Sequence, residues 1–402
     1  MPQTSGGHGT NHGYSNIDGG VTLDLTSLNN VDVLENGVTV SVGTGASWGD
    51  VYLVLDAHNR SLNGGRASDV GVGGFLSGGG IGFFALQHGF GCDAVVNMEV
   101  VLSNGDIVDA NATSNSALFR ALKGGQNNFG IVTRWDITTI PKGEFWGGSL
   151  VYPSSTTAEQ LEVFANWKTP ENFDPSSSVE QSHVYIGSLQ EFLVSNSVFY
   201  TKPLAFPDNL KNYTNIQPLI SSTLRISNAT DFANEIQSFS TPNQNTIFAT
   251  TTLRSSPTIL KKVHAIWQAS VEQLSRNATI TSSLTLQSIP APPSDISRAN
   301  SLGFDPSSTP EKDLILVLLS NFWEDPNVGE DVHNSAARFI CDVDFVAKEE
   351  GVAHKFRYPN YAAAGFQHPL QSTGQLDSLR KVASQYDPIR MFQRQVIGGW
   401  KL

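Results

Sequence analysis

The chain predicts a mixed α+β fold in two domains, and three observations carry the prediction. Of its 36 glycines, 28 fall in residues 1–150, so the first part of the chain is built differently from the rest. Short alternating strand patterns bounded by Gly and Asn turn signals run through that glycine-rich part. Beyond it, strand patterns follow one another with longer amphipathic helices between them, which is how an antiparallel sheet covered by helices reads. A length of 402 residues exceeds what one core usually organises. We place the first domain at 1–142 and the second at 143–352.

Val21-Thr22-Leu23-Asp24-Leu25 and Val38-Thr39-Val40-Ser41-Val42 alternate apolar and polar residues and read as half-buried strands. Residues 48–56 read as a helix with Val51, Tyr52 and Leu55 on its inner face. Residues 71–82 then hold seven glycines in twelve positions and read as a glycine loop. Strands follow at 95–102 and 107–110, joined by an Asn104-Gly105 hairpin turn. A short helix at 116–122 stops at Gly124-Gly125, and Asn128-Phe129-Gly130-Ile131-Val132-Thr133 leads into a last strand through Ile137. In the second domain Thr156-x-x-Glu159 reads as a capping box opening a helix to Trp167. Strands are expected at 184–186, 197–200, 246–253, 282–289 and 314–322, with helices at 259–276 and 328–350. A final amphipathic helix at 372–386 is stopped by Asp387-Pro388.

With 37 acidic and 25 basic side chains the net charge is −12, which opposes binding to a phosphate backbone, so no nucleic acid partner is expected. No apolar run approaches the roughly twenty residues of a membrane helix, and the N-terminus has no charged-then-apolar signal pattern. Localisation stays open. Cys92 and Cys341 are too few for a disulfide framework and read as small apolar fillers. His8 and His12 stand four apart, but Gly9 and Gly13 disfavour a helix there and no third ligand is near, so no metal is expected.

Glycine lacks a Cβ and lets backbone N–H groups approach a ligand closely, so Ser5-Gly6-Gly7-His8 and the 71–82 loop point to a large polar ligand such as a dinucleotide. A rival reading starts from Gly45-Ala46-Ser47-Trp48-Gly49, a G-x-S-x-G turn between strand and helix. A serine hydrolase would need Asp313 or Asp342 and then His354 or His368 as partners of Ser47. Against it, the preceding strand is not apolar on both faces, and Ser47 is a natural N-cap. Lys123 could offer charge to a flavin or phosphate, or be a solvated helix-end lysine. Tyr358-Pro359-Asn360-Tyr361, followed by Gln367-His368-Pro369, forms an aromatic and polar loop.

Taken with Asp18-Gly19-Gly20-Val21, Gly89-x-x-x-Asp93, Lys123-Gly124-Gly125 and Tyr386-Asp387-Pro388, these motifs make the chain resemble the FAD-linked oxidases of the vanillyl-alcohol oxidase superfamily. Within it the resemblance is to the berberine-bridge-enzyme-like group of fungal type, and it covers residues 5–139 and 356–402. The resemblance implies a PCMH-type FAD-binding domain, a substrate domain, and a C-terminal segment, 353–402, that returns to the first domain. It implies that His8 carries FAD covalently through the 8α-methyl carbon, beside Gly6 and Gly7. Relatives with a second link have a cysteine where this chain has Ala67, so one link is expected. Gly71, Gly73, Gly74, Gly78 and Gly79 are expected to border the pyrophosphate and flavin, with main-chain contacts from Gly130, Ile131 and Val132.

By the same resemblance the reaction is hydride transfer from an alcohol, sugar or amine-type C–H to flavin N5, with molecular oxygen as acceptor. Tyr361, Tyr358 and Asn360 are the candidates for orienting the small-molecule substrate or taking its proton. Relatives carry a small α/β lobe before the S-G-G-H motif, and here seven residues precede His8. The expectation is a FAD domain lacking its first lobe, which leaves an inactive remnant that no longer binds FAD as a third reading.

Overall fold

The computed structural model describes all residues except 1, 2, 5, 241–243, 277–278, 291–298 and 305–311, and for residues 3 and 4 the backbone alone. A five-stranded sheet organises the glycine-rich part, in the order Val31–Val33, Thr39–Gly43, Ile131–Thr138, Val95–Val101 and Ile107–Asn111, with every neighbouring pair antiparallel. Helix Trp48–Ala57 buries Trp48, Val51, Tyr52 and Leu55 in the same core as Val40, Val42, Met98 and Trp135. The segment read as a strand at 21–25 is shorter: Leu23–Asp24 pairs in parallel with Gln3–Thr4.

The second part is a nine-stranded sheet, antiparallel in every pairing. Its order is Ser221–Ser222, Phe145–Pro153, Glu191–Tyr200, Ser177–Ile186, Ile280–Ser288, Leu314–Trp323, Asn245–Arg254 and Ala353–His354, with Arg225–Ser227 also pairing onto Phe145–Pro153. Successive residues of a strand point to opposite faces. One face, with Val179, Leu284, Val317, Leu319 and Ala249, forms a core with Leu260, Val263, Trp267, Phe339 and Val343 of helices Pro257–Leu274 and Gly329–Glu349. The other face carries Glu180, Leu318 and Phe248 toward the first part of the chain.

Among the elements that escaped the sequence reading, the glycine run read as a loop holds the short helix Val72–Ser77, and two longer elements have a visible cause. Strand Phe145–Pro153 contains Gly147 and Gly148, which masked it as a loop. Helix Ala229–Ser238, capped by Asn228, sits in a Ser/Thr/Asn-rich stretch, and its Phe232 and Ala233 join the first core. Leu379, Val382 and Ala383 of helix Leu376–Tyr386 join that core too, which docks the C-terminal segment on the first domain. The capping box at Thr156 does not form, because its hydroxyl donates to Pro153 O at 2.9 Å. Cys92 is buried as expected, whereas Cys341 is exposed on its helix. Lys123 is not solvated: it is buried, with Nζ 4.1 Å from the centre of the Phe119 ring.

Candidate active site

A cavity of about 390 Å³ lies between the glycine loops, the 358–361 segment and the open face of the large sheet. The two glycine-dense turns meet at its edge. A Cβ placed on Gly6 would lie 2.7 Å from Gly71 N, so neither backbone could approach the other with a side chain between them. Gly7 sits at φ +68°, where a side chain would be strained, and His8 follows it, exposed and lining the cavity. Ser5 of this motif lies outside the described residues. The His8 loop is tied to the C-terminal segment through Asn11, which donates to Ala362 O at 2.9 Å and accepts from Ala364 N at 2.8 Å.

Gly71, Gly73 and Gly74 line the cavity across from His8, at the start of the short helix Val72–Ser77. Nothing lies within 4 Å of where a Gly74 Cβ would sit, so the cradle is open at that point. Gly130 and Val132 also line it, and Gly130 is glycine because a Cβ there would lie 2.5 Å from Val100 Cγ1. Ile131 does not line it; strand alternation sends it to the other face from Val132. Gly78 and Gly79 stand behind the cavity wall, Gly78 against Asn360 and Gln126, Gly79 against Leu302 and Phe90.

Tyr358, Asn360 and Tyr361 all line the cavity, but they do different things. The Tyr358 hydroxyl is buried and accepts from Gly80 N at 3.0 Å and from Asn360 Nδ2 at 3.1 Å. Burial, and then its neighbour Tyr361, push its pKa well above the usual tyrosine range. Asn360 Nδ2 also donates to Phe75 O at 3.0 Å, which holds the segment onto the glycine helix. Trp400 Nε1 bonds Pro359 O at 3.0 Å, and Gln367 bridges Ala363 N to both backbone groups of Thr250, fastening the segment to the sheet.

Tyr361 is half-buried, and its ring meets Tyr358 and Phe248 edge to face at 4.8 and 6.1 Å. Its hydroxyl accepts from Arg66 Nη2 at 3.1 Å, and the same nitrogen lies 2.9 Å from Glu180 Oε1 and 2.9 Å from Gln287 Oε1. Burial opposes the Arg66 charge, but Glu180, Tyr361 and Tyr358 around it outweigh this and raise its pKa. The sequence reading missed Arg66 and Glu180. The available signal was a cation directly after Gly64-Gly65 and five positions ahead of Gly71, where the glycine loop begins.

Ser47 is the N-cap of helix Trp48–Ala57: its Oγ accepts from Asp50 N at 3.3 Å and donates to Asp50 Oδ2 at 2.6 Å, while Asp50 accepts from Ser47 N at 3.0 Å. The hydroxyl is bonded to a carboxylate and not to an imidazole, so the hydrolase reading has no support. Among the described residues no group of three or more His, Cys, Asp or Glu is placed to hold a metal ion. No described helix is long and apolar enough to cross a membrane.

The family model described as an FAD binding domain matches residues 3–111. The FAD-dependent monooxygenase drtC of Aspergillus calidoustus is 32% identical over 406 residues, spanning 99% of this chain and 76% of that protein. Among solved structures, the xylooligosaccharide oxidase of Myceliophthora thermophila C1 superposes with a TM-score of 0.79 at 21% identity, covering 100% of this chain and 86% of that one. The glucooligosaccharide oxidase of Acremonium strictum, whose FAD is described as 6-S-cysteinyl and 8α-N1-histidyl, superposes with a TM-score of 0.74 at 20% identity, covering 99% and 85%. The touching glycine turns, the exposed His8 and the open face at Gly74 together present backbone and an imidazole to one cavity, the groups suited to hold a flavin dinucleotide. The chain is an FAD-binding oxidoreductase and belongs to the family that includes the fungal FAD-dependent monooxygenase drtC, and its fold is that of the solved oligosaccharide oxidases.

Proposed function

We propose that the protein is an FAD-dependent oxidase that oxidises a C–H of a small alcohol, sugar or amine and passes the electrons to molecular oxygen, releasing hydrogen peroxide. The observation that carries this is the convergence of the His8 loop, the Gly71, Gly73 and Gly74 backbone and the Arg66–Tyr361 pair on one cavity. FAD held by these residues would supply the redox chemistry as the hydride acceptor. His8 offers a ring nitrogen from a loop anchored through Asn11, suited to a single covalent link to the cofactor. Ala67 lines the same cavity and has no atom with which to make a second.

Tyr361 is the residue that takes the proton of the substrate hydroxyl or amine. Only as a phenolate can that oxygen accept the proton, and a guanidinium donating to it favours this charged, proton-accepting form. Tyr358 is unsuited to that role, since its oxygen already accepts two hydrogen bonds and burial keeps it neutral. Tyr358 and Asn360 are positioning residues that fix the segment against Phe75 and Gly80.

A test free of any assumption about substrate is to reduce the FAD-loaded protein with light and then admit oxygen. Reoxidation within seconds with one hydrogen peroxide per flavin is the expected result, and slow reoxidation would overturn the oxidase reading. A second reading, oxygen insertion into substrate, is favoured by the name of the 32% identical relative, an FAD-dependent monooxygenase. Oxygen consumed during turnover without matching peroxide would favour it.

A further inference from the structure

Arg66 is placed to do more than hold Tyr361. Its side chain is only 9% exposed and lines the cavity. All of its contacts run through one atom: Nη2 meets Glu180 Oε1 at 2.9 Å, Gln287 Oε1 at 2.9 Å and the Tyr361 hydroxyl at 3.1 Å. An Nη carries two hydrogens, so these three acceptors more than fill it. The two donors of Nη1 and the one of Nε have no acceptor among the described residues. Neither nitrogen is among the sealed-off polar atoms without a partner, so these charged donors open onto the cavity, where a ligand can supply the acceptor.

The surroundings narrow the chemistry of that ligand. Tyr361 stands edge-on to both Tyr358 and Phe248, and Leu318 extends the apolar wall on the sheet side. Glu180, 19% exposed and itself lining the cavity, engages Nη2, which leaves the Nη1 and Nε edge of the guanidinium as the place for a second anion. Resting on the reading of this cavity as the place where substrate meets FAD, we propose that Arg66 is a substrate-binding residue. It receives an anionic oxygen, a carboxylate, enolate or phenolate, of a substrate whose flat apolar body lies against Tyr361 and Phe248.

The test uses the FAD-loaded protein with benzoate as probe and benzamide as its neutral counterpart, followed by calorimetry and by flavin absorbance in the same samples. Benzoate is expected to bind at least about tenfold more tightly than benzamide, as for a charge-assisted hydrogen bond. Arg66→Gln should weaken benzoate roughly 30-fold and leave benzamide within about twofold. Arg66→Lys keeps the charge beside Glu180 but has fewer donors, and should fall between the two. Glu180→Gln removes the competing anion and should tighten benzoate several-fold, a gain that a merely structural role for the pair does not produce. The lysine and glutamine variants at 66 and 180 keep the test alive if Arg66→Gln does not fold. Equal binding of benzoate and benzamide, or weaker benzoate binding in Glu180→Gln, overturns the proposal. Arg66-dependent benzoate binding that leaves the flavin spectrum unchanged supports the anion site but overturns the reading that it adjoins FAD.

Discussion

Arg66 Nη2 donates to the Tyr361 hydroxyl at 3.1 Å across 295 residues of sequence separation. One partner comes from the start of the glycine loop and the other from the C-terminal segment, so the pair exists only when the last part of the chain docks on the first. Tyr361→Phe removes the acceptor and the proton-taking oxygen but keeps the ring against Phe248 and Tyr358. Turnover should fall by about 100-fold or more, as for loss of a general base, with FAD content unchanged. Equal turnover in the two proteins takes Tyr361 out of the mechanism.

The open space beside Gly74 separates a cofactor cradle from a simple helix position. Alanine is a better helix former than glycine by about 1 kcal/mol, so Gly74→Ala should stabilise the cofactor-free protein slightly. The added methyl would enter the cavity, and FAD affinity should drop roughly tenfold if that surface packs against the cofactor. Melting curves and FAD titrations of the His8→Ala background, where FAD can exchange, decide it. A variant as tight as its parent places the cofactor elsewhere.

Ser47→Ala tests the cap. It should lose about 1 kcal/mol of stability through the Asp50 capping box and nothing in redox turnover. An esterase activity lost on this substitution would restore the hydrolase reading.

Lys168 gives a pH signature. It is 4% exposed, and burial pushes its pKa down to about 7, only partly offset by Asp313. In the fold it is neutral above that value, while in the unfolded chain it stays charged up to the ordinary lysine range. The unfolded state therefore binds more protons between these limits, and stability rises with pH from about 7 upward. Lys401, also pushed down to about 7 by burial, adds to the same slope. Lys168→Met should raise the melting temperature at neutral pH by on the order of a few degrees and flatten part of this slope. Thermal unfolding of both proteins from pH 6 to 10 checks the sign.

The glycine clustering and the strand periodicity of the sequence were enough to mark the glycine turns that line the cavity, because close backbone approach and alternation both leave local marks. The Arg66 cluster left none: its partners Glu180, Gln287 and Tyr361 come from three separate stretches of chain. Strand Ser177–Ile186 was read only from Val184 because its helix-covered face holds Gln181 and His183, 0% and 1% exposed, which break the apolar alternation. Its opposite face is polar for another reason, since Glu180 serves the cavity. Glycines read as one group also separate in the structure, Gly74 lining the cavity while Gly78 and Gly79 make room for Asn360 and Leu302 behind it.

The measurement that bears most directly on the site is the visible absorbance of acid-precipitated protein, wild type beside His8→Ala. Yellow colour that stays in the wild-type pellet and moves to the supernatant in the variant is the predicted result, with His8 as the single point of attachment. Colour released from both, or retained by both, would contradict it.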